Sequence, residues 1–183
     1  MASTVLDSDI FKDVFGSAEM RRVFSDDTTL ANYVRAEVAL AVAQGETGVI
    51  SRAHSDAIAR LAPAIVLDRV ALKHETENVG YPILGLVRQL SAKLGDAGRS
   101  LHWGATTQDI MDTAVVLQVR DALAIVERDM AAVSAALAIL AERHRDTAMA
   151  GRTHLQQALP ITFGYKAAIW LAAMQRHAER LAQ

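Results

Sequence analysis

The chain contains no cysteine. That excludes a disulfide framework, a cysteine nucleophile and zinc–thiolate centres, and it fits a reducing cytoplasm. Prolines are scarce, with three in 183 residues, at 63, 82 and 160. Alternation of β-branched residues is rare, whereas alanine and leucine are abundant, so the expected fold is all-α. No run of about 18 uncharged apolar residues occurs, which leaves no candidate membrane span. The segment from Met1 to Asp9 carries acids and no apolar core, so it does not read as a secretory signal. Charge of one sign is also missing. The net charge is −2 with no basic block, so nothing points to nucleic acid as a partner. What is present is apolar surface. At 51% hydrophobic residues the chain can bury a sizeable core in one large or two small domains.

Local signals place the helices. An irregular or short helical stretch covers residues 8–24. Ser25, Asp26 and Asp27 can cap a helix running from about Asp27 to Thr47, with Gly48 as its stop. Leu30, Val34, Val38 and Ala41 give that helix one apolar face. A second helix is expected from Ser51 to Ala62, ended by Pro63, and a short turn over 68–77. Asn78 to Pro82 reads as a break, followed by a helix from about Pro82 to Leu94. Residues 105–150 hold neither glycine nor proline. Within them Val116, Val119, Leu123, Val126, Met130, Val133, Leu137, Leu140 and His144 form a heptad seam. A helix of roughly 35 residues would be about 50 Å long, and it needs antiparallel neighbours or other subunits to cover its seam. A last helix is expected from Pro160 or Thr162 to Gln183. It meets no stop signal, as if the polypeptide were cut inside a longer bundle.

Two breaks concentrate polar chemistry. Residues 102–113 read His-Trp-Gly-Ala-Thr-Thr-Gln-Asp-Ile-Met-Asp-Thr, and residues 151–164 read Gly-Arg-Thr-His-Leu-Gln-Gln-Ala-Leu-Pro-Ile-Thr-Phe-Gly. Thr106 and Asp109 fit a capping box, which is a structural role. The same helix N-terminus also offers free N–H groups and a positive dipole end, to which Thr106 and Thr107 would add hydroxyls for a carboxylate. His102 is either a second polar contact or a plain loop histidine. His154 is either structural or a general acid or base near neutral pH. Thr153, Gln156 and Gln157 could orient its ring or bind carboxylates. His54, His74, His144 and His177 fall on ordinary helical faces and read as non-catalytic. His74 with Glu75 and Glu77 has poor spacing for a metal site of the HExxH type; neither metal nor cofactor is expected. Trp103 and Trp170 read as packing residues.

The two segments, about 50 residues apart, together resemble two signatures of the fumarase/aspartase/adenylosuccinate lyase superfamily. The similarity runs from Phe15 to the C-terminus and corresponds to the N-terminal two-fifths of a family member. It implies a homotetramer built on a multi-helix bundle, with active sites shared among subunits. It divides the chain into a helical N-terminal domain, 1–109, and the first part of a central bundle of long antiparallel helices, 110–183. The implied chemistry is addition to, or elimination from, a fumarate-like carboxylate, with fixed donors stabilising the dianion. The family's usual base is a serine on a Ser-Ser-x-Met-Pro loop. That loop does not occur in these residues, so the base is expected beyond them and the 183-residue chain alone is expected to be inert. Carried over to this chain, His154 is the catalytic candidate. Thr106, Thr107, Thr153, His102, Asn78 and Gln156 are the substrate-binding candidates.

Within the superfamily the best resemblance is to the 3-carboxy-cis,cis-muconate cycloisomerase-like subgroup. Val14 and Phe15 stand where adenylosuccinate lyases carry Arg-Tyr, and Glu77 stands where they carry the histidine of Thr-Arg-His-Asp. Asn78 with Pro82, Phe24-Ser25-Asp26, Gln108 to Thr113 and Leu117 to Leu123 follow the cycloisomerase pattern. His154 does not, since bacterial enzymes of that subgroup need not carry it. The resemblance thus implies a cytoplasmic lyase or cycloisomerase acting on a small polycarboxylate in aromatic-acid catabolism. The alternatives are an adenylosuccinate lyase-like or other fumarate-releasing enzyme, or an inactive helical assembly module.

Overall fold

The computed structural model describes residues 4–183; Met1 to Ser3, the start of the N-terminal segment read above, lie outside them. The chain is mostly helical and divides into two compact units, residues 1–121 and 122–183.

The first unit opens with two short helices, α1 (Lys12–Phe15) and α2 (Ala18–Val23). Helix α3 (Asp26–Glu46) starts where Ser25 accepts the Thr28 N–H, and the acids Asp26 and Asp27 suit the positive end of the helix. Ser51 caps α4 (Arg52–Leu61) in the same way, and Pro63 sits in a single 3-10 turn, Ala62–Ala64, that ends it. The stretch expected as a short turn is a full helix, α5 (Arg69–Val79), because Asp68 accepts from both Val70 and Ala71 N–H. The break expected at Asn78 therefore begins two residues later, at Gly80. Helix α6 (Ile83–Leu94) carries the most enclosed residues, Ile83, Leu86 and Leu90, which pack with Ile58 of α4 into one core. Side chains of this size contribute roughly 1.5–3 kcal/mol each when fully buried.

A 3-10 segment, Gly95–Ser100, folds back onto α6. Gly98 permits this: a Cβ there would lie 2.3 Å from the Ser91 carbonyl oxygen. Helix α7 (Thr107–Arg143) follows as one continuous helix of 37 residues. In the first unit its inward face is Ile110, Ala114 and Gln118. Gln118 is buried and donates to Val23 O and Thr29 Oγ1, which ties α7 to the start of α3. The heptad seam lies on another face. Val116 is 66% exposed and Val133 47% exposed, so within this chain the seam has no complete cover.

The second unit holds the rest of α7, a hairpin and α8 (Phe163–Leu181). The hairpin corrects the expectation of an irregular break. Strands β1 (Ala148–Thr153) and β2 (Gln156–Thr162) pair antiparallel, with Ala148 opposite Thr162 and Thr153 opposite Gln156. Between Ala150 and Arg152 the register slips by one. Pro160 forms part of β2, and α8 begins only at Phe163, after its Thr162 cap. Phe163 and Gly164 N–H donate to Thr147 O and His144 O, closing the hairpin back onto the end of α7. A Cβ on Gly164 would stand 2.5 Å from Ala141 O. No helix among the described residues is long and apolar enough to cross a membrane.

Candidate functional site

Each unit holds one polar segment, and each is described by itself. In the first unit the turn between the 3-10 segment and α7 presents His102, Thr106 and Thr107. Asp109 reaches back to accept the Thr106 N–H at 2.9 Å, the carboxylate half of a capping box. Thr107 is the first residue of α7, where the helix leaves N–H groups unpaired. An open cleft of about 520 Å³ borders this turn, lined by Trp103, Gly104, Ala105 and Asp109 with Gln44 and Val49.

His102 is not a plain loop histidine. Its φ is +59°, in the left-handed region, a conformation that costs on the order of 1–3 kcal/mol for a residue with a side chain. Its Nδ1 lies 2.6 Å from Oε1 of Glu37, a residue of α3 with no solvent exposure. Burial pushes the Glu37 carboxyl above its ordinary value of 4.5, and the imidazole beside it opposes that rise. At the next residue of the turn, Gln44 Nε2 donates to Trp103 O at 2.6 Å. Both α3 residues escaped the sequence reading. The signal was there: Glu37 and Gln44 continue the stripe of Leu30, Val34 and Ala41, as polar residues in apolar positions.

Below the turn, His54 holds the 3-10 segment to α4. Its Nδ1 lies 2.7 Å from Ser100 Oγ and its Nε2 3.1 Å from Asp96 Oδ2, a structural clip. Asn78 sits in the last turn of α5, where its amide meets His74 Nδ1 at 3.2 Å. The structure gives it no hydrogen bond to the signature turn.

In the second unit, Thr153, His154 and Gln156 cluster at the hairpin tip, all exposed. Leu155 completes the tip with a φ of +56° and 94% exposure. His154 makes no hydrogen bond to any described residue. Tip backbone is thus fixed by pairing while the side chains stand open to whatever approaches them. Among the described residues no group of three or more His, Asp or Glu could hold a metal ion.

Comparison with known proteins bears on this arrangement. A family model described as lyase matches residues 15–183. The chain is 42% identical to an N-acetyl-S-(2-succino)cysteine lyase of Enterococcus italicus, over 99% of this chain and 40% of that protein. The crystal structure of a fumarate lyase from a Mesorhizobium species matches with 55% identity and a TM-score of 0.88, over 92% of this chain and 40% of the other. That of beta-carboxy-cis,cis-muconate cycloisomerase from Acinetobacter calcoaceticus matches with 40% identity and a TM-score of 0.92, over 95% and 42%. The chain spans about two-fifths of the length of each.

Proposed function

This chain belongs to the lyase family of the fumarase/aspartase superfamily, and on that premise we propose that the whole protein is a lyase-type enzyme acting on a small polycarboxylate. The observation that carries the reading is the signature turn. It sets Thr107 at the start of a 37-residue helix, fixes Thr106 through Asp109, and holds His102 against a buried carboxylate. Such an N-terminus suits a substrate carboxylate.

In this reading Thr106 and Thr107 bind one carboxylate, with His102 beside them. Asn78 is a further contact of the first unit. In the second unit Thr153 and Gln156 also bind a carboxylate, and His154 donates a proton or orients the substrate, each segment serving sites shared among subunits. The proton next to a carboxylate leaves to a base on a part of the protein outside these residues, and the donors stabilise the dianion. The finer assignment we propose is a 3-carboxy-cis,cis-muconate cycloisomerase-like enzyme of aromatic-acid catabolism, without metal or organic cofactor, in the cytoplasm. The division at 109/110 into N-terminal and bundle domains goes with it. So does a homotetramer, supported by the uncovered seam and by exposed Ile169 and Trp170 on α8. A fumarate-releasing lyase is the second reading, favoured by the identity to the fumarate lyase and the succinocysteine lyase.

The test uses the full-length protein with 3-carboxy-cis,cis-muconate, N-acetyl-S-(2-succino)cysteine and adenylosuccinate as substrates. His154→Ala should lower turnover by roughly 10²- to 10⁴-fold, the usual worth of a general acid or base. Thr107→Val should weaken substrate binding instead. Wild-type kinetics in His154→Ala would remove its role. Robust cleavage of either succinyl compound would overturn the cycloisomerase assignment, and turnover of none would overturn the enzyme reading.

A further inference from the structure

Helix α3 holds the signature turn by two side chains. Glu37 and Gln44 are seven residues apart, hence on one face of the helix, and they bond the consecutive residues His102 and Trp103. Gln44 binds a backbone carbonyl and so fixes the loop. Glu37 binds an imidazole, and its circumstances are unusual. The residue has no solvent exposure, and its second oxygen, Oε2, is buried without a partner. A half-satisfied buried carboxyl lowers stability relative to an apolar residue of similar size. Its position inside the apolar stripe of α3 gives packing no reason to prefer it. The histidine it meets is held in left-handed backbone. Nε2 of that ring bonds to no described residue, and the side chain is still 18% exposed.

We propose that Glu37 is a positioning residue for His102. Its carboxyl and Nδ1 share one proton, which leaves Nε2 bearing the other and aimed as a hydrogen-bond donor at a carboxylate of the substrate. Two protons leave the buried pair without net charge, whereas one would leave an anion on Glu37, which has no solvent exposure and an unpartnered Oε2. Within the neutral pair the chemistry is independent of where the shared proton rests. With it on Nδ1 the ring is an imidazolium and Nε2 carries N–H. With it on Oε1 the carboxylic acid donates to a bare Nδ1, and the neutral ring again carries its proton on Nε2. Burial pushes the Glu37 carboxyl up, which favours the pair keeping that proton. Without Glu37 a neutral ring is free to take either tautomer and to turn about its own axis. The inference rests on the polycarboxylate reading for the nature of the acceptor, and on the Nδ1–Oε1 contact together with the burial of Glu37 for the state of the ring.

The experiment has two arms in the full-length protein. Nitrogen-15 NMR of the histidine rings, with His102 assigned by His102→Gln, should show Nε2 protonated at neutral pH and a proton in the short Nδ1–Oε1 bond. A bare Nε2 overturns the proposal. In kinetics, Glu37→Met should raise KM about tenfold or more, as loss of a hydrogen bond to a charged group does, with kcat changed far less. Glu37→Gln can still donate its amide N–H to Nδ1 and should keep KM close to wild type. An unchanged KM in Glu37→Met, or a Glu37→Gln that fails as badly as Glu37→Met while remaining folded, overturns it. If Glu37→Met does not fold, the ring spectrum and Glu37→Gln still decide. The spectrum is read without turnover, so a failed lyase reading, seen as no polycarboxylate turned over, is distinguishable from a failed pair, seen as a bare Nε2.

Discussion

Replacing Gly98 by alanine isolates the contact that sets the signature turn against the core. The new Cβ would lie 2.3 Å from Ser91 O, 2.7 Å from Ser91 Cα and 2.8 Å from Ser91 C. Ordinary contact begins near 3.4 Å, so the overlap is about 1 Å and falls on backbone, which has no rotamer to relieve it. Ser91 belongs to α6 between Leu90 and Leu94, both buried, so the segment Gly95–Ser100 must move instead. That motion weakens the Ser91 Oγ–Gly98 O hydrogen bond of 3.1 Å. Overpacking of this kind costs roughly 1–3 kcal/mol. Alanine recovers roughly 0.4–1 kcal/mol by narrowing the unfolded ensemble. The net expectation is a loss of about 1–2 kcal/mol, or a melting point lower by about 2–8 °C for a chain of this size. Urea unfolding followed by circular dichroism reads this as a lower midpoint at an unchanged slope. Gly16→Ala is the comparison. Its φ is −179° and its Cβ would meet only the Arg21 guanidinium at 3.8 Å, so it should be neutral or slightly stabilising. A Gly98→Ala midpoint equal to or above wild type would refute the argument from close approach.

Leu90→Ala should destabilise the protein by about 2–5 kcal/mol, since Leu90 is fully enclosed and truncation leaves a cavity; a loss within experimental error in urea unfolding would show that α6 does not anchor the core. Glu37 also predicts a pH dependence. Its folded pKa is raised above the ordinary 4.5, so its contribution is fully present below the unfolded value and is lost as pH rises through the folded one. The stability of wild type relative to Glu37→Gln should therefore fall as the pH rises above the ordinary 4.5, and a rise on going to higher pH would contradict the burial argument.

Much of the helical architecture was legible in the sequence because its determinants are local. Ser25 and Ser51 sit where caps are needed, Pro63 and Pro82 bound helices, and residues 107–143 hold nothing that stops one. Family membership was legible for a related reason, since two short polar segments carry the signature at fixed separation. Asp68 is a local signal too: its side chain accepts from Val70 and Ala71 N–H and makes α5 a helix where the sequence suggests a short turn. The hairpin of residues 148–162 was not legible. Its strands face solvent on most positions and show no period-2 alternation, and Pro160 argued against a strand. Backbone pairing, and the N–H groups of Phe163 and Gly164 returning to the end of α7, create it. The heptad seam from Val116 to His144 stands out in the sequence, but the inward face of α7 in the first unit is Ile110, Ala114 and Gln118. Sequence periodicity marks which faces can be buried, whereas the neighbouring helices choose which one is. The Glu37–His102 pair is the clearest case. Its partners stand 65 residues apart, and each looks ordinary in its own segment. Only the packing of α3 under the turn brings the two within 2.6 Å, with the carboxyl closed to water and the imidazole still partly open to it.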